Sequence, residues 1–206
     1  MSRKLIIASI LWLALIICCY LWVDFPLMLA VHNHALATIK NIAGYFTYFG
    51  YGAYPIGVFA ILTLIAYLLK PMRKYRHIFL LGLLALIISG IACDILKVFF
   101  GRARPVMWWA NNSHIYGFHW FEFNFHATFW SFPSGHSTTA ASFCAVLWLT
   151  VKRFRFIWIL IAVGVFASRI LLLAHYSSDT LAGGYLGWLT AYLLYRYWYL
   201  PRQLAS

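Results

Sequence analysis

Residues 78–105 read IFLLGLLALIISGIACDILKVFFGRARP. The part from Ile78 to Phe100 is apolar apart from Ser89, Asp94 and Lys97. It exceeds the roughly 20 helical residues that a hydrocarbon core requires. Gly101 and Pro105 then stop the helix, because glycine weakens it and proline cannot continue it. Lys97, Arg102 and Arg104 thus stand together where an apolar helix ends. An ionisable residue at that depth marks function by default.

The remainder of the chain has the same character. Of 206 residues, 64% are hydrophobic and 10% charged. Mean hydropathy is +0.80. A water-soluble domain of this size has too little interior for that much apolar surface. Apolar spans fall near 5–23, 52–69, 78–100, 135–151, 156–174 and 180–198. The expected fold is an all-α, polytopic bundle of six transmembrane helices in a single domain, 1–206. Its active site is expected at the outer membrane–water interface.

The net charge of +12 is also compatible with nucleic acid, but its distribution points to a membrane. Alternate connections carry Arg3, Lys4, Lys70, Arg73, Lys74, Arg76, Lys152, Arg153, Arg155, Arg196 and Arg202. The others carry Lys40, Lys97, Arg102, Arg104 and Arg169. Eleven against five places both termini inside by the positive-inside rule. Asp24, Asp94, Glu122 and Asp179 all fall toward the outer side. The first span resembles a signal peptide in its Arg3–Lys4 start. The bulky Tyr20–Val23 end offers no cleavage site, so a retained helix is expected.

The connections carry further expectations. Asp24-Phe25-Pro26 should end the first span, with 27–49 an amphipathic interfacial segment. His32 and His34 read as interfacial polar residues. Gly50, Gly52 and Gly57 suit close helix packing. Asp94 lies three residues before Lys97, so the two can pair on one helix face. The outer loop 101–132 is dense in aromatics, including Trp108, Tyr116, Phe118, Phe125 and Phe132, as in an interfacial belt or the wall of a lipid entrance. Cys18, Cys19, Cys93 and Cys144 lack metal or disulfide spacing and read as buried filler. His114, His119 and His126 lack zinc spacing.

Three patches carry the chemistry, and counting spans puts all three on the outer face. Lys97 and Arg104 offer a point charge and a planar fork to phosphate oxygens. Arg102, off their register, reads as a lipid headgroup contact or auxiliary cation. Pro133-Ser134-Gly135-His136 opens a helix, with Ser134 as N-cap, free amides for an anion, and Gly135 allowing close approach. The same residues also suit a plain turn. His136 would sit beside the phosphate, placed to protonate a leaving alkoxide. In the third patch, Arg169 precedes His175 by six residues and Asp179 follows by four. On one straight helix Arg169 and His175 diverge by about 120°, so a break near 174–178 is expected. Asp179 can hold one imidazole tautomer, and an oriented neutral histidine attacks phosphorus. A structural His–Asp pair is the plainer alternative.

The joint pattern K-x6-R-P, P-S-G-H, S-R-x5-H-x3-D resembles the type 2 phosphatidic acid phosphatase superfamily, which includes vanadium haloperoxidases and bacterial acid phosphatases. Every motif position is filled, over residues 97–179, and the six spans resemble its membrane-embedded branch. The resemblance implies that His175 attacks to form a phosphohistidine, oriented by Asp179, while His136 protonates the departing oxygen. It implies phosphate binding by Lys97, Arg104, Ser134, Gly135 and Arg169, with no metal and no cofactor.

The expected function is an integral-membrane lipid phosphatase in a bacterial cytoplasmic (inner) membrane, with its site facing the periplasm or exterior. Candidate substrates by resemblance are undecaprenyl diphosphate, phosphatidylglycerol phosphate, lipid A 1-phosphate and phosphatidic acid. The expected partners are that phosphorylated lipid and the bilayer, with no nucleic acid; the sequence assigns no oligomeric state. A lipid phosphotransferase shares the first half-reaction and is the main alternative. A vanadate haloperoxidase and a non-catalytic lipid transporter fit the lipid-facing spans and the intact motifs less well.

Overall fold

A computed structural model describes residues 3–110, 114–121, 123 and 126–204. The helices are α1 Arg3–Cys18, α2 Asp24–His34, α3 Ala37–Thr47, α4 Ala53–Leu68, α5 Arg76–Phe100, α6 Gly135–Thr150, α7 Arg155–Leu171, α8 Ser177–Leu194 and the short α9 Leu200–Leu204. No strand forms among the described residues, and an isolated antiparallel bridge joins Arg102 to Phe118. The fold is all-helical. Each of the six apolar segments in the sequence overlaps one long helix.

Four helical stretches among the described residues are long and apolar enough to cross a membrane: Arg3–His34, Ala37–Leu68, Lys70–Phe100 and Lys152–Leu171. Their outward surfaces are apolar, as at Ile10, Leu11, Ile61, Leu64, Ile91, Ile95 and Phe156. α6 and α8 differ. They lie inside the bundle and bury Ser137, Thr138 and Ser142 on α6 and Ser178 and Thr180 on α8. Gly183 and Gly187 bring the α8 backbone against Ser134 and Thr138 of α6. Gly184 does the same toward α7, where a Cβ would stand 2.5 Å from the Phe166 ring. Small residues let backbones approach, and the neighbouring helices then supply the polar groups' surroundings. The pair Gly183-Gly184 packs as expected. Gly57 does not: a side chain there would meet nothing within 4 Å.

At one end of the bundle Phe59, Leu81, Leu86, Val146, Ala191 and Tyr199 form a buried apolar cluster. Ser131, Ser178, Asp179 and Arg102 form a separate buried polar cluster.

One expectation needs correction. Asp24-Phe25-Pro26 does not end the first helix. A π turn over Cys19–Val23 joins α1 to α2, with the Asp24 N–H donating to the Cys19 carbonyl. Pro26 then lies in the first turn of α2, where a missing N–H is tolerated. The segment 27–49 is built from two helices. It breaks at Ala35–Leu36, and its second half, α3, docks on α7 through Phe46 against Gly164.

Candidate active site

α5 ends at Gly101, whose left-handed conformation (φ 53°) closes the helix with an N–H to the Lys97 carbonyl. Arg104 is extended (φ −75°, ψ 155°), as the residue before a proline should be. The chain therefore bends between the two cations. Lys97 Nζ pairs with Asp94 Oδ1 at 2.8 Å. It also reaches α6: a Cβ on Gly135 would stand 3.2 Å from Lys97 Nζ. Glycine there leaves the ammonium its place.

Ser134 caps α6, its side chain accepting from the Ser137 amide at 3.4 Å. The Ser134 amide in turn donates to the Asp179 carbonyl at 3.0 Å, locking the second patch to the third. The preceding Phe132–Pro133 peptide is cis. Arg169, in the last turn of α7, donates through Nη1 to Thr47 Oγ1 of α3. The Nε groups of Arg104 and Arg169 are buried without a partner. The ion pairs among the described residues include neither side chain. Burial pushes the Arg104 guanidinium below its ordinary value, and Asp179 offsets this only in part. Arginine stays charged regardless, so a half-buried cation stands here without an ion-paired carboxylate. An oxyanion would supply one.

The break between α7 and α8 falls at 172–176, close to the expected position, with Leu173 at φ 52°. The Ala174 and His175 amides both donate to the Arg169 carbonyl, at 3.1 and 3.2 Å. That turn holds Arg169 and His175 beside each other. Lys97, Arg104, Arg169 and His175 all lie within electrostatic reach of His136. The structure thus gathers all eight sequence-assigned residues at one end of the bundle.

His175 is only 3% exposed. Its Nδ1 lies 2.8 Å from the Ser131 carbonyl and 3.6 Å from Asp179 Oδ2. A carbonyl can only accept, so Nδ1 carries the proton and Nε2 keeps its lone pair. The tautomer is therefore set first by Ser131, and Asp179 acts at one remove. Asp179 Oδ2 accepts from Ser131 Oγ at 2.6 Å and from the Tyr176 amide at 2.9 Å. Burial lowers the His175 pKa, while Asp179 pulls the other way without cancelling it. The lowered pKa favours the neutral imidazole.

Arg102 contacts no headgroup. Its side chain is fully buried, donating to Asp179 Oδ1 at 2.6 Å, Ser178 Oγ at 2.6 Å and Asp24 Oδ2 at 2.8 Å. Tyr176, Tyr20, Phe118 and Tyr116 enclose the guanidinium at 4.1, 5.0, 5.1 and 5.8 Å. Burial works against the charge, but Asp179 and Asp24 hold its pKa above the ordinary arginine range. Part of the aromatic loop thus serves as a cage for a cation. Elsewhere in it, His114 packs on Trp108 and His119 on Phe129. Glu122 and Phe125 lie outside the described residues. His32 stacks on Trp109 at 3.9 Å.

Sequence reading missed Arg102 in this role, together with Asp24, Ser131, Thr47 and Gly50. The available signal was two opposite charges, Asp24 and Arg102, each at the edge of an apolar run. Gly50 backs the site directly: a Cβ there would stand 2.8 Å from His136 Cβ and 3.0 Å from its carbonyl. Gly50→Ala should therefore displace His136. We expect kcat for phosphate release to fall about 10- to 100-fold with little change in KM, since small misplacements of reacting groups have effects of that order. Steady-state kinetics on the purified variant checks this.

A family profile described as the PAP2 superfamily matches residues 79–202. Two curated proteins named lipid A 1-phosphatase align with part of the chain. The one from Rhizobium etli is 41% identical over 104 residues, 50% of this chain and 43% of that protein. The one from Rhizobium johnstonii is 41% identical over 98 residues, 47% of this chain and 38% of that protein. The alignments thus span less than half the length of these relatives. A crystal structure described as the first transmembrane PAP2 type phosphatidylglycerolphosphate phosphatase, from Bacillus subtilis, superposes with a TM-score of 0.71. It is 22% identical, over 95% of this chain and 96% of that one, and so shares the fold. All three patches lie within the profile match, and the chain belongs to the PAP2 superfamily.

Proposed function

We propose that this protein is an integral-membrane lipid phosphatase that works through a phosphohistidine on His175. One observation carries the reading. A histidine with its Nδ1 committed to a carbonyl stands beside two guanidiniums, Arg104 half-buried and Arg169 buried, that lack carboxylate partners. Such a site holds a tetrahedral oxyanion and presents a nucleophile to it.

In the first step the Nε2 lone pair of His175 attacks phosphorus, and the phosphorus–oxygen bond to the lipid breaks. That electron pair leaves on the lipid oxygen, which takes a proton from His136. Lys97, Arg104, Arg169 and the amides around Ser134 and Gly135 balance the charge on the three remaining oxygens. In the second step water attacks phosphorus and gives a proton to His136. The N–P bond breaks, returning its electron pair to Nε2, and inorganic phosphate departs. The three cations neutralise the developing charge, so the reaction uses no metal.

Six spans, both termini inside and a site facing the exterior of a bacterial inner membrane complete the reading. The charge asymmetry supports it, as do the apolar outer surfaces of α1, α4, α5 and α7. Because α6 and α8 lie inside the bundle, they can span without a continuous apolar surface. A reporter fused at residue 112 should read outside and one at residue 74 inside.

Among candidate lipids, the relatives' names make lipid A 1-phosphate the first to test, followed by phosphatidylglycerol phosphate, undecaprenyl diphosphate and phosphatidic acid. Purified protein should release inorganic phosphate stoichiometrically from at least one of them. Phosphate recovered on a second lipid instead would identify a phosphotransferase. Silence on all four would count against the reading.

The pH profile supplies a further test. Protonation of Nε2 removes the nucleophile, so activity is lost as pH falls through the His175 pKa. Burial lowers that pKa. The acid limb of kcat/KM should therefore lie below about 6.5, the ordinary imidazole value.

A further inference from the structure

Asp24 lies outside the residues matched by the family profile, 155 positions before Asp179 in the chain. Its side chain is nevertheless buried in the same network. Asp24 Oδ1 accepts from the Ser178 amide at 2.9 Å, and Oδ2 accepts from Ser178 Oγ. Arg102 Nη2 donates to Oδ2 at 2.8 Å, while Nη1 of the same guanidinium reaches Asp179 Oδ1. The π turn over Cys19–Val23 immediately precedes Asp24. One such turn adds a residue to the helix and re-aims those that follow, which is why π turns recur at functional sites.

The charge balance of this cluster matters for the reaction. One buried guanidinium stands between two buried carboxylates, leaving a net charge of about −1 under His175 at the interior's low dielectric. When Nε2 bonds to phosphorus while Nδ1 keeps its proton, the ring becomes an imidazolium. With Asp24 absent, Arg102 would neutralise Asp179, and this cluster would hold no net negative charge to offset that cation.

We infer that Asp24 is a positioning residue for catalysis: by neutralising Arg102, it leaves the Asp179 charge to stabilise the cationic histidine intermediate. The inference rests on the proposed phosphatase reading. It makes the first membrane helix part of the active site rather than only an anchor.

The test uses the full chain in detergent and the lipid phosphate that wild type hydrolyses best. Asp24→Asn keeps shape and most hydrogen bonds but removes the charge. It should lower kcat about 10-fold or more with KM within about threefold, because the affected charge develops only during reaction. Adding Arg102→Gln restores the net charge to −1 and should recover at least about fivefold of the lost kcat, a coupling between contacting residues. A purely structural role predicts a double variant no better than the single one.

Wild-type kcat in Asp24→Asn, or no recovery in the double variant, would overturn the inference. Should Asp24→Asn not accumulate as folded protein, the double variant decides. Turnover within about 10-fold of wild type supports the charge argument, and turnover as low as that of His175→Ala overturns it. An active wild type with an indifferent Asp24→Asn fails the inference alone. A wild type that hydrolyses none of the lipids fails the functional reading, and the inference with it.

Discussion

His175→Ala should abolish phosphate release while leaving the protein folded and membrane-inserted. The loss should be at least about 10⁴-fold, since removing a nucleophile eliminates the covalent route rather than weakening it. The structure gives reasons for the separation between activity and folding. The His175 side chain makes one hydrogen bond, from Nδ1 to the Ser131 carbonyl. The turn that carries it is held by backbone bonds to Arg169 and by Asp179 on the Tyr176 amide, none of which needs the imidazole. His136→Ala should be milder, about 10²–10⁴-fold, because water can supply the leaving group's proton at lower efficiency. Phosphate release from the preferred lipid, with detergent gel filtration as the folding control, checks both. Turnover of His175→Ala near the wild-type value would remove the phosphohistidine.

Arg102→Met should harm stability and activity together. The substitution keeps much of the stem but leaves Asp24 and Asp179 buried without their common cation. Breaking a buried ion pair by removing one partner destabilises by about 3–5 kcal/mol. Four aromatic rings would also lose the charge they enclose. Arg73→Met, on the exposed turn between α4 and α5, should change stability by less than about 0.5 kcal/mol. Thermal unfolding in one detergent compares the two. If Arg102→Met unfolds at the wild-type temperature, the guanidinium is not the tie between the first helix and the site.

The contrast between these arginines shows how far sequence reading goes. Arg104 was legible because Pro105 follows it and Lys97 precedes it at fixed spacing. Local backbone rules then sufficed to place it. Lys97 and Asp94 were legible for the same reason, three residues apart on one helix. So was the break before Ser177, since Arg169 and His175 cannot share a direction without it. Arg102 was misread because its partner Asp24 is 78 residues away, and no local rule connects them. The continuation of the first helix past Pro26 escaped for a related reason. Proline ends helices in general, but a π turn just before it changes which N–H groups are needed. Ser131 offered no motif of its own. It matters because a backbone carbonyl, which every residue has, happens to face His175.

Read alone, the chain points to a membrane protein, to the approximate positions of its long helices, and to the residues that the proposed chemistry uses. Hydrophobic length and charge asymmetry act locally along the chain and leave readable marks. Tertiary contacts supply the wiring of the site: which oxygen holds the His175 tautomer, which carboxylates share Arg102, and the link from the first helix to Asp179. Those are contacts between residues far apart in sequence. Their energies depend on burial and on distances of a few ångströms, which no spacing along the chain encodes.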